Sequence, residues 1–518
     1  MSTSIKRALL PLAAFCVLAS LPGEWAASPV LGQPPVPKAD EKDKKKADEP
    51  KVTSHEAVIG GQTIKYTATT GMLPQLDDSG KVKANVFFVA YEREGQDKAK
   101  RPITFAFNGG PGSSSVWLHL GALGPRKVQF GPDGEPLAPP AALTDNESSW
   151  LDMTDIVFID PVSTGFSRPA EGENGNQFHG LFEDVQSVGE FIRLYCVRYQ
   201  RWQSPKFLAG ESYGTTRAAG LSGYLQDEVG MYLNGIVLIS SVLDFSTISF
   251  ETNNDLPNWL FLPSYTATAW YHKKLAPDLQ ADLSGALKQA REFASGEYLL
   301  ALAKGDALPA KERDAVAEKL ARFTGLSKDF VVRAGLRVSM GSFGKELLRD
   351  RGQTVGRFDS RYKGIDRNGI GSGPDYDPSH AAITGPFTAA FNTYVRSELQ
   401  YESDQNYEIL TGKVHPWNFS AATNHFASFA DTLRSAMTKN PALRVMFCAG
   451  YYDLATPFFA AEYTAGHLGL DESLRSHVVT NYYEAGHMMY LRQADLKKLK
   501  ADASGFYTDA LTQPAGAR

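Results

Sequence analysis

Five residues, Gly210-Glu211-Ser212-Tyr213-Gly214, set a serine hydroxyl between two glycines, just after the apolar run KFLA and just before a helix-like segment, TTRAAGLSGYLQDE. A strand-to-helix turn this tight leaves no room for flanking Cβ atoms and lifts the serine out as a nucleophile. A hydroxyl attacks poorly until an imidazole takes its proton and a carboxylate fixes the tautomer of that imidazole. Asp453 in CAGYYDLATP and His487 in EAGHMMY supply both, in the order serine, acid, histidine, each directly after a strand-like run. The tetrahedral intermediate of such an attack needs two N–H donors. The sequence offers that of Tyr213, after the nucleophile, and that of Gly110 in Asn108-Gly109-Gly110-Pro111-Gly112, a loop that follows the strand-like ITFAF. Of the other histidines, His119, His272 and His425 read as members of helices and His55 as part of a leader.

These residues need a scaffold that brings strand ends together. Gln62 to Tyr91 reads as hairpin strands, and ITFAF, DIVFID, PKFLAG, NGIVLIS, LRVMFCAG and HVVTNYY read as buried strands. Helical spacing runs from Leu181 to Trp202, so strands and helices alternate as in a mainly parallel sheet covered on both faces. Between Phe250 and Arg357 the text is almost wholly helical, and the Gly- and Asp-rich loop Asp366 to Pro378 closes it without EF-hand spacing. The expected fold class is α/β: an α/β-hydrolase fold with a mainly parallel central sheet and an inserted helical cap. Its parts are a core in two pieces, 57–250 and 381–518, with the cap over 251–380.

The 518-residue chain is 43% hydrophobic with a formal net charge of -5, a balance that points away from wholesale disorder and from a polyanionic partner such as nucleic acid. Lys6 and Arg7 precede an apolar run from Ala8 to Leu21, which reads as a signal peptide over 1–32, with no stable membrane span after its removal. Residues 33–56, rich in Pro, Asp and Lys, read as a disordered charged linker. Export places the protein in the periplasm or outside the cell. Beyond the leader, Cys196 and Cys448 leave room for one disulfide, whose formation depends on a separation that the sequence does not give. No H-E-x-x-H or Cys-pair spacing calls for a metal, and no cofactor is expected.

NGGPGSSS (Asn108 to Ser115), FIDPVSTGFS (Phe158 to Ser167), GESYG, and Asp453 with the His487 of GHMMY resemble, in this order, the motifs of the serine carboxypeptidases. The resemblance covers about Phe105 to Leu262 and Phe387 to Tyr490. It implies peptide substrates with a free C-terminus, whose carboxylate is bound by Asn108 and Glu211. A glutamate can hydrogen-bond a carboxylate only if one of the two holds a proton, which favours acidic pH. The chain departs from the family at Ala106, where a tryptophan is usual, at Ala122, where a second glutamate is usual, and at Ser113, where a cysteine is usual. The resemblance therefore implies an exported serine-type carboxypeptidase working through an acyl-enzyme on Ser212. An esterase or acyltransferase would use the same triad, and a non-catalytic binding protein would need that triad broken.

Overall fold

The computed structural model describes residues 49–512. The expected signal peptide and residues 33–48 of the expected linker lie outside the described residues. Nine strands form the body of the fold: β1 (Lys51–Ile59), β2 (Gln62–Leu76), β3 (Val82–Arg93), β4 (Ile103–Phe107), β5 (Asp155–Ile159), β6 (Lys206–Glu211), β7 (Gly235–Ile239), β8 (Arg444–Gly450) and β9 (Val478–Tyr483). They lie in the order β1-β2-β3-β5-β4-β6-β7-β8-β9, with the short strand Arg168–Pro169 beside β3, as one ten-stranded sheet among the described residues. The first strands pair antiparallel, and every pairing from β5 to β9 is parallel.

The end of the expected linker needs correction. Residues 51–56 belong to β1, which pairs with β2 from Lys51–Thr70 to Ile59–Gln62, so His55 sits on a strand. The run is polar because β1 is an edge strand whose first half faces solvent, and only Ala57 and Ile59 are buried. His425 is likewise not helical but lies in a bend, while His272 caps the end of a helix.

The helices used below are α1 (Leu181–Arg198), α2 (Tyr213–Asp227), α3 (Leu262–Tyr271), α4 (Leu283–Phe293), α5 (Ala310–Thr324), α6 (Pro378–Ser397), α7 (Ala430–Lys439) and α8 (Gln493–Leu511). Strands β4 to β7 are buried at every residue, which explains why they read as unbroken apolar runs. Their side chains divide with period two. Leu208 packs with α1, α2 and α7 (Val188, Leu221, Leu433) on one face, whereas Phe207 and Ala209 pack with α6 and α8 (Phe387, Leu499) on the other. Cys196 and Cys448 are both buried and free, and they belong to the apolar clusters of opposite faces.

The segment between β7 and β8 carries α3, α4 and α5, which build an apolar cluster of their own from Tyr265, Ala290, Val316 and Leu320. Local signals set these helices. Asp282 accepts from the N–H groups of Ser284 and Gly285 at the start of α4, and Gly325 ends α5 at a φ of 68°. The cluster reaches Leu454 and Ala460, one residue and a few residues beyond Asp453, so this insertion packs directly on the loop that carries the predicted acid. Among the described residues, no helix is long and apolar enough to cross a membrane.

Candidate active site

The carboxyl ends of β4, β6, β8 and β9 deliver Asn108, Ser212, Asp453 and His487 to one side of the sheet, where ligands of open α/β sheets gather. Ser212 stands between β6 and α2 at φ 59° and ψ −129°, a strained conformation for a residue with a Cβ. Its N–H still bonds to Ile239 O at 3.0 Å, so the turn begins without leaving the sheet. The flanking glycines are set by contact: a Cβ on Gly210 would lie 2.3 Å from Gly214 O, and one on Gly214 would lie 2.8 Å from Phe107 O.

His487 and Asp453 meet, with Nδ1 donating to Asp453 Oδ2 at 2.7 Å. Asp453 is fully buried, and three more donors hold it: the N–H of Ala455 and that of Thr456 on Oδ1, and the Thr456 hydroxyl on Oδ2. With Nδ1 committed to the acid, Nε2 is the free base of the ring. Burial pulls the His487 imidazole down, but the Asp453 charge, its hydrogen bond and the Glu211 charge outweigh this and hold it above its ordinary value.

Gly109 separates Asn108 from Gly110 and touches the start of α2, where an added Cβ would lie 2.4 Å from Tyr213 N. The two predicted oxyanion donors therefore belong to segments in direct contact, and Tyr213, first in its helix, has no carbonyl of its own turn to bond. Asp160 of FIDPVSTGFS anchors the far end of this loop, accepting from Ser115 N and Oγ at 2.9 Å.

Asn108 and Glu211 are also brought together. Asn108 Nδ2 donates to Glu211 Oε1 at 2.9 Å, and the Tyr490 hydroxyl donates to Oε2 at 2.7 Å. Asn108 is fixed in turn by Leu118 N on its Oδ1 and by Arg217 on its carbonyl. Ala106 and Ala122 are fully buried and bring no polar group to this network. Burial pushes the Glu211 carboxyl up to about 7, against the opposing pull of His487, Tyr490 and Asn108.

A folded-state value raised from 4.5 to about 7 means that the folded chain keeps a proton that the unfolded chain releases. Stability tied to this group is full below the unfolded value and falls as pH rises toward and through about 7, by ~3 kcal/mol for a shift of this size. Glu211→Gln keeps the shape without the charge. We expect it to match the parent in urea unfolding at pH 4 and to exceed it at pH 8.

Asn108, Gly110, Glu211, Ser212 and His487 line one cavity of about 360 Å³. Its lining also includes Arg357 and Phe358, which begin a segment that the sequence reading missed, Arg357–Arg361 at the end of the insertion. Leu454 N donates to Arg357 O, His487 N to Phe358 O, Gly486 N to Asp359 Oδ2, and Ser360 N to Tyr452 O. One short segment thus holds both the acid loop and the histidine loop. Asp359 is itself paired with Arg361, both nearly buried, at 2.6 Å. Removing one partner of a buried pair strands the other charge. Asp359→Ala should therefore cost about 3–5 kcal/mol in chemical denaturation and lower kcat more than KM, because the His487 loop loses a tether.

The serine carboxypeptidase family model matches residues 61–291, a span that includes Asn108, Gly110, Glu211, Ser212 and Tyr213 and ends before Asp453. Serine carboxypeptidase-like 33 of Arabidopsis thaliana is 28% identical over 159 residues, 29% of this chain and 31% of that protein. The pheromone-processing carboxypeptidase kex1 of Sclerotinia sclerotiorum is 30% identical over 131 residues, 25% of this chain and 19% of that protein. The alignments thus span less than a third of the length of these curated relatives. Among solved structures, Kex1(delta)p, a prohormone-processing carboxypeptidase from Saccharomyces cerevisiae, aligns over 86% of this chain and 91% of its own, with a TM-score of 0.53 at 16% identity, a likeness of fold. With the family model running through the oxyanion loop and the serine turn, and with the remaining motifs following in order on the same sheet, the chain is similar to the serine carboxypeptidases over residues 61–291 and shares the fold of one of them.

Proposed function

We propose that the protein is an exported serine-type carboxypeptidase, acting in the periplasm or outside the cell, that releases C-terminal amino acids from peptides through an acyl-enzyme on Ser212. The reading rests above all on the Asp453–His487 pair bonded at 2.7 Å in a cavity that Ser212, Asn108 and Glu211 share. In it, His487 Nε2 takes the proton as Ser212 Oγ attacks the last peptide carbonyl, and Asp453 stabilises the imidazolium that forms. The N–H groups of Gly110 and Tyr213 hold the oxyanion. Collapse breaks the C–N bond, and His487 returns its proton to the departing amine. Water, activated by the same imidazole, then attacks the acyl-enzyme and frees Ser212.

Asn108 and Glu211 receive the α-carboxylate of the departing residue. Glu211 can donate to it only while protonated, and burial keeps that proton on up to about pH 7. A second reading, an esterase or acyltransferase, draws on one observation: both Glu211 oxygens already accept a hydrogen bond, and Ala106 and Ala122 leave the carboxylate site with fewer polar groups.

The test is release of the terminal amino acid from an N-blocked dipeptide, compared with its C-terminal amide and with a simple ester between pH 4 and 8, using Ser212→Ala as the control. Preference for the free acid supports the carboxypeptidase. Ester turnover indifferent to a carboxylate, with no peptide cleavage, supports the second reading instead.

A further inference from the structure

The cavity carries an uneven set of charges. Of the residues that line it, Glu211 alone is acidic, while Arg357, His380, His415 and His487 are basic or imidazole groups. Three of them surround one ring. The Arg357 guanidinium lies 5.1 Å from the centre of the Phe358 ring, the His487 imidazole 4.9 Å and the His380 imidazole 5.9 Å.

Arg357 is held for presentation. Its N–H donates to Asp377 Oδ1 at 3.0 Å and its carbonyl accepts from Leu454 N at 3.0 Å, so the backbone is fixed on both sides. The side chain is exposed, and no carboxylate among the described residues forms an ion pair with it. Asp377 spends its oxygens on backbone N–H groups and on Ser379. An arginine fixed at its backbone, resting on an aromatic face and left without an anionic partner, is a ready receptor for a carboxylate.

Its position says which part of a substrate it would meet. His487 must hand its proton to the departing amine, so groups packed around His487 through Phe358 flank the departing residue. The α-carboxylate of that residue is already assigned to Asn108 and Glu211 in the reading above, on which this step rests. We infer that the enzyme prefers peptides whose C-terminal residue is acidic, with Arg357, beside His380, pairing with the side-chain carboxylate of aspartate or glutamate.

The experiment separates binding from turnover. On the inert Ser212→Ala protein, calorimetry would give Kd for N-blocked dipeptides ending in Glu, Gln and Ala, with and without Arg357→Gln and Arg357→Lys. The expected result is a preference for Glu over Gln of roughly 10-fold that vanishes with Gln at 357 and survives in part with Lys. Equal affinity for Glu and Gln peptides, or a loss on Arg357→Gln that is the same for all three peptides, would overturn the inference. Fluorophosphonate labelling of Arg357→Gln with Ser212 intact shows that the triad still stands. If the wild-type protein releases no amino acid from any of these peptides, the peptidase reading fails, while the affinities still decide whether Arg357 selects an acidic residue.

Discussion

Replacing Ser212 by alanine is expected to lower kcat/KM for a peptide acid by about 10⁴- to 10⁶-fold while the chain remains folded. The N–H of residue 212 keeps its bond to Ile239 O, and the strained turn keeps both of its glycines, so the substitution removes the attacking atom without dismantling its support. His487→Ala should cost a similar factor, since an unassisted hydroxyl is a poor nucleophile at neutral pH. Because the two act as a unit, the double variant should be little slower than either single one. Steady-state kinetics on the N-blocked dipeptide, with fluorophosphonate labelling as an independent readout of the nucleophile, would check all three proteins. Multiplying losses in the double variant would mean that Ser212 and His487 do not work together, and the proposed mechanism would fall.

What the sequence made legible was local. The turn around Ser212 was readable because its demands are steric and confined to neighbours: Gly210 and Gly214 are small since the backbone of the turn and of Phe107 lies where a Cβ would go. Strands β4 to β7 were readable because burial on both faces turns them into unbroken apolar runs, and α4 and α5 because their apolar residues recur at helical spacing. The first six residues of β1, 51–56, read as linker because an edge strand with one wet face has polar text, and its pairing with β2 leaves no local signature. The contacts that complete the site were hidden for another reason. Tyr490 ends the GHMMY run, yet its bond to Glu211 joins residues 279 apart, and Asp359 reaches Gly486 across 127. Hydrophobic period and turn chemistry carry no information about such pairs. A polar residue in a loop reads the same whether it faces water or clamps a catalytic histidine.

Asp453→Asn should lower kcat by roughly 10⁴-fold with little change in fold, and its effect follows from the bonds that the carboxylate accepts. Oδ1 takes the N–H groups of Ala455 and Thr456, and an asparagine oxygen in the same place keeps both. Oδ2 takes the Thr456 hydroxyl at 2.7 Å and His487 Nδ1 at 2.7 Å. With an amide nitrogen there, the hydroxyl can turn to accept, but the imidazole can satisfy the new donor only by offering Nδ1 as an acceptor. Its proton then moves to Nε2, the nitrogen that must take the proton of Ser212, and the base is blocked in its resting tautomer. The imidazolium also loses the buried charge that raises its affinity for a proton, so the His487 pKa should fall at the same time. Two measurements separate this from simple unfolding: urea denaturation near the parental midpoint, and a kcat that partly recovers at high pH, where the serine can ionise without the imidazole. A loss below about tenfold would mean that Asp453 only braces its loop and that another group orients His487.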